Sequence, residues 1–74
     1  MTDIEVLRRS GELLYGPRWQ TDLARDLGVT NRSLRRWIAH GDIPDTIVPE
    51  LLRLLRRRQA RIARFAAQVE RGDT

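Results

Sequence analysis

Residues 20–38 read QTDLARDLGVTNRSLRRWI, and this stretch decides the fold. Leu23, Ala24 and Leu27 fall at i, i+1 and i+4, one apolar stripe of a first helix. Gly28 ends that helix, since the residue past the last turn adopts a positive φ that makes a Cβ costly. Thr30 can cap the next helix by accepting a hydrogen bond from a free backbone N–H. Leu34, Trp37 and Ile38, at i, i+3 and i+4, form the buried stripe of that second helix. Its outer face is then Asn31, Arg32, Arg35 and Arg36. A short helix with its back in a core and three guanidiniums outward suits the DNA major groove.

With these residues in view, Gln20, Leu23-Ala24, Leu27-Gly28-Val29, Leu34 and Trp37 resemble the helix-turn-helix of the phage-repressor and Cro family. The resemblance covers about a quarter of the chain. It implies a small residue, here Ala24, where the helices cross, a glycine, here Gly28, in the turn, and Leu34 and Trp37 as anchors of a recognition helix. It also implies that Gln20 bonds a phosphate and braces the first side chain of that helix. Trp19 stands where the family usually carries a Ser or Thr cap. A second resemblance, of GVTNRSLRRWIAHGDIP to the excisionase and MerR-type motif, implies a β-hairpin wing. The sequel instead holds Pro44, Pro49 and a Leu/Arg-rich stretch with no strand alternation.

N-terminal to the motif, Thr2-Asp3-Ile4-Glu5 forms a capping box, and Met1 and Val6 occupy hydrophobic-staple positions. A helix is predicted from Asp3 to about Tyr15, with Ile4, Leu7, Gly11 and Leu14 on one face. Gly11 costs up to about 1 kcal/mol against alanine in a helix, so it permits close packing or marks a break; packing is the preferred reading. Gly16-Pro17 signals the turn. Trp19 is expected as a lid over the junction of the first two helices, with base stacking as the other reading.

On the C-terminal side, residues 39–42 end the motif. His40 there either satisfies terminal carbonyls or meets a phosphate. A last helix is predicted from about residue 46 to about residue 71, with Pro49 tolerated in its first turn and Gly72 as its stop. Val48, Leu51, Leu55, Arg58, Ile62, Phe65 and Val69 alternate by three and four, a heptad seam that Leu52, Leu54 and Ala66 widen. Residues 47–55 are expected under the motif and the part beyond Arg58 against a second chain; the other reading folds the helix back on its own domain. Arg58 on the seam needs a partner, and either fixes register or marks a bend.

Composition narrows the function. The chain has 74 residues, a net charge of +4, no cysteine and one histidine. One small domain is expected, without disulfides or thiolate metal sites. The lack of cysteine fits a reducing cytoplasm, the expected location, and no membrane span or signal-peptide pattern is legible. All 14 basic residues are arginine: residues 1–31 hold four against five acids, and residues 32–64 hold nine against three. Basic charge thus begins at the predicted recognition helix, as in a polyanion binder. No nucleophile–base pair, phosphate loop or metal cluster is legible, so neither enzymatic activity nor a cofactor, metal or small-molecule ligand is expected.

The expected architecture is all-α, a single helix-turn-helix domain of about four helices with a long C-terminal helix used for dimerisation. Asn31, Arg32, Arg35 and Arg36 are candidate base contacts, with Arg35 assigned to a base edge or the adjacent phosphate. Arg18, Gln20, Thr30, Ser33 and His40 are candidate phosphate contacts, and Leu55, Arg58, Ile62, Phe65 and Val69 a candidate dimer interface. The expected partners are an inverted-repeat operator in double-stranded DNA and a second copy. What the resemblance adds is a repressor of a phage or mobile-element operon. The alternative is an interaction module, an antitoxin or host-factor inhibitor, whose Arg-rich last helix binds an acidic protein.

Overall fold

The computed structural model describes residues 1–72, and they form four helices: α1 (Asp3–Tyr15), α2 (Trp19–Leu27), α3 (Asn31–His40) and α4 (Ile47–Arg71). No strand occurs among the described residues, so residues 47–71, where a wing would stand, are a helix. Helix α1 starts as its sequence dictates. The Thr2 hydroxyl accepts from the Glu5 N–H and the Glu5 carboxylate reaches back to Thr2, closing the capping box. The expected staple does not form: Met1 is 90% exposed while Val6 packs on the core. The box already holds the helix start without it.

Each helix gives one fully buried leucine to a common centre: Leu7, Leu23, Leu34 and Leu51. Burying such a side chain stabilises the fold by about 1.5–3 kcal/mol. Trp19, Ala24, Ile43 and Ile47 complete the core. Helix α2 touches all three other helices, whereas α3 rests chiefly on α2. The arrangement therefore leaves the far side of α3 open.

Trp19 lies over Gly11, where an added Cβ would come within 2.3 Å of the indole Cε3. Gly11 thus permits close packing. Trp19 is buried as the lid and is out of reach of any base. It also begins α2 one residue before Gln20, and no side chain caps that start.

Helix α4 neither bends back nor stays within the domain. Its 25 residues extend about 37 Å at about 1.5 Å each, most of the 48 Å long axis. Ile47 and Leu51 are buried, Val48, Leu54 and Leu55 half-buried, and Leu52 faces outward rather than widening the seam. Beyond Arg58 every described residue but the half-buried Ala67 is exposed.

Candidate nucleic-acid interface

The turn that sets α3 is built from Gly28 and Thr30. Gly28 takes the left-handed conformation (φ 74°, ψ 28°) and its N–H bonds back to α2. The Thr30 hydroxyl accepts from the Ser33 N–H at 3.0 Å and donates to the Ser33 Oγ at 3.1 Å. The Thr30 oxygen thus caps α3, and the two hydroxyls lie exposed side by side at the helix start. With Ser33 capped, the N–H groups of Asn31 and Arg32 are the open donors of the helix start. Helices α1, α2 and α4 carry an acid in the first turn, but α3 carries none. The positive end of its dipole is thus left without a neutralising carboxylate.

Leu34 is fully buried and Trp37 and Ile38 half-buried, so the predicted stripe does hold α3 to the core. At about 100° per residue, Arg32 and Arg36 stand opposite Leu34 and about 40° apart, with Arg35 on one flank and Ser33 and His40 on the other. Asn31, Arg32, Arg35 and Arg36 are all exposed. None of the three arginines meets a carboxylate among the described residues. The ion pairs among the described residues lie elsewhere: Arg25 with Asp22 at 3.0 Å and Asp26 at 3.7 Å, and Arg53 with Glu50 at 2.7 Å. The arginine of α2 thus lies between two carboxylates, and those of α3 do not.

The flanking candidates divide. Arg18 and Gln20 are exposed at the start of α2, and Gln20 makes no bracing hydrogen bond to α3 in the free chain. His40 is exposed and donates to no terminal carbonyl; the Trp37 carbonyl is served by the backbone N–H groups of Gly41 and Asp42. Ala39 is exposed on the Arg32–Arg36 face, an omission from the sequence reading that its spacing of three from Arg36 would have repaired. A methyl there fits the thymine C5 methyl.

The candidate dimer residues do not form one uniform surface. Ile62, Phe65 and Val69 are 60%, 63% and 49% exposed, and Leu55 is half-buried. Arg58 finds its partner within its own chain: its guanidinium donates to the Leu14 carbonyl at 2.7 Å and lies 5.8 Å from the Tyr15 ring centroid. It is satisfied within its own chain because α1 ends on an unfilled carbonyl and has no basic residue in its last turn. Tyr15 in turn donates to the Asp26 carboxylate. Burial, then that bond and the Asp26 charge, push the Tyr15 hydroxyl up to about 12, against the smaller pull of Arg58 and Arg25.

No group of three or more metal-ligating side chains gathers among the described residues, and no described helix is long and apolar enough to cross a membrane. No family model, curated protein or solved structure matches this chain.

Proposed function

We propose that this chain is a sequence-specific, double-stranded DNA-binding regulator that acts as a dimer and lays α3 in the major groove. The observation that carries this reading is the pairing of a fully buried Leu34 with exposed Arg32 and Arg36 opposite it, and Arg35 on the flank, none of them meeting a carboxylate. Arg32 and Arg36 are assigned to guanine O6/N7, Asn31 to adenine N6/N7 and Ala39 to a thymine methyl. Arg18, Gln20, Ser33 and the open N–H groups of α3 take phosphates. Affinity then comes chiefly from counterion release, and specificity from the base edges. A repressor of a phage or mobile-element operon, its own included, is the role that the family resemblance suggests; occupying a promoter requires no ligand.

Selection from a randomised duplex pool tests this. The expected product is one inverted repeat with G-containing half-sites. A pool that stays random after repeated rounds contradicts it. The exposed apolar and arginine-rich end of α4 favours a second reading, an interaction module for an acidic protein. That reading gains if the chain ignores every duplex yet retains such a protein through residues 56–69.

A further inference from the structure

We infer that the free end of α4 docks a second copy of this chain, and that the two α4 helices meet antiparallel. The inference gives the dimer in the proposed function its geometry, but its test does not involve DNA. Leu51, Leu55, Arg58, Ile62, Phe65 and Val69 recur at steps of four, three, four, three and four, on one helix face. The first part of that face is covered within the chain: Leu51 is in the core and Arg58 is bonded to the end of α1. The last part, Ile62, Phe65 and Val69, is bare. Arg53, Arg57 and Arg64 point the other way, at about 100° per residue, so the bare stripe is an apolar continuation of the core face.

The same facts choose the direction of the second copy. Packed helices lie about 8–10 Å apart. In a parallel pair both α1 helices would sit on facing sides at the same level, in a gap too narrow for even one helix of about 10 Å diameter. Arg58 would also meet Arg58. In an antiparallel pair each core lies beyond the end of the other α4, and the collision disappears. The seam then sets Ile62 beside Phe65 of the second copy and Val69 beside the aliphatic stem of Arg58, whose head is already turned to Leu14. Leu14, Leu55, Arg58, Gln59, Ile62 and Ala63 line an apolar trough at that level, open to receive Val69 of the second copy. Arg61 falls beside Gln68 of the copy rather than beside another arginine. Counting from Leu51 to its equivalent through this register, the two cores lie about 37 Å apart along the pair. The overlap runs only from about Arg58 to Val69, shorter than a standard interface, so the dimer is expected to be reversible.

The chain has no cysteine, so disulfide mapping on single-cysteine variants of the full chain is unambiguous. A bond requires Cβ atoms about 3.5–4.5 Å apart. An equimolar mixture of Ile62→Cys and Phe65→Cys should cross-link on oxidation, whereas Val69→Cys alone should not, its two copies lying about 16 Å apart along the pair. Sedimentation should show the mass doubling with concentration, and Phe65→Asp should raise the midpoint at least about tenfold with helical content unchanged. A mass that stays monomeric throughout, even with a different protein held on the stripe, would overturn the inference, as would efficient cross-linking of Val69→Cys to itself. A dimer with the expected cross-links that binds no duplex upholds this inference and removes the DNA-binding reading instead.

Discussion

The Arg58 guanidinium of α4 closes the end of α1 by donating to the Leu14 carbonyl, forty-four positions earlier in the chain. This bond joins the two longest helices at the point where α4 leaves the domain. A charge-assisted hydrogen bond to a carbonyl that has no other helical partner contributes about 1.5–3 kcal/mol. Partial exposure places this one at the lower end. Arg58→Met keeps the stem and removes the donor. It is expected to cost about 1.5 kcal/mol in urea unfolding, and an unchanged midpoint would show that the bond carries no stability.

Gly11→Ala separates two effects of opposite sign. Helix propensity alone would stabilise the variant by about 1 kcal/mol. The new Cβ, however, meets Trp19 side-chain carbons at 2.3 Å and 2.5 Å, and overpacking of this kind costs about 1–3 kcal/mol. Because the indole is held in the core, the loss is expected to prevail, lowering the thermal midpoint by several degrees. A variant more stable than the parent would mean that the indole moves aside freely.

Tyr15 is the chain's only tyrosine, so its ionisation can be followed by tyrosinate absorbance. Its hydroxyl is pushed up to about 12, by burial first and by Asp26 second, whereas the unfolded chain releases the proton near 10. The unfolded state therefore deprotonates first. The associated stability is fully present below about pH 10 and is lost as pH rises through about 12. Tyr15→Phe should flatten the stability profile across that window, and Asp26→Asn should lower the Tyr15 value while leaving it above 10. An ordinary titration midpoint near 10 would contradict the burial.

Much of this architecture is legible in the residues because its causes are local. The capping box at Thr2–Glu5, the cap at Thr30 and the turn at Gly28 act over a few positions, and the spacing of Leu34, Trp37 and Ile38 alone leaves Arg32 and Arg36 on the outside. The start of α2 is less legible, since no side chain caps it and Trp19 is drawn into the helix by the core. The Arg58–Leu14 and Tyr15–Asp26 bonds bring together residues far apart in sequence, where no periodicity points. Ile43 was missed for a different reason. It is a single apolar residue in a polar, proline-containing turn, yet it is buried and belongs to the core with Ile47. Its isolation among polar neighbours was the available signal.

The most direct measurement compares Arg36→Ala with the parent chain on two duplexes, the selected inverted repeat and a random sequence of equal length, at one salt concentration. A lost bidentate guanine contact costs about 1–3 kcal/mol, or roughly 5- to 150-fold in affinity. The account predicts a loss of that size on the inverted repeat and less than about threefold on the random duplex. Equal losses on both would reassign Arg36 to the phosphate backbone. No loss on either would show that the exposed face of α3 does not read DNA.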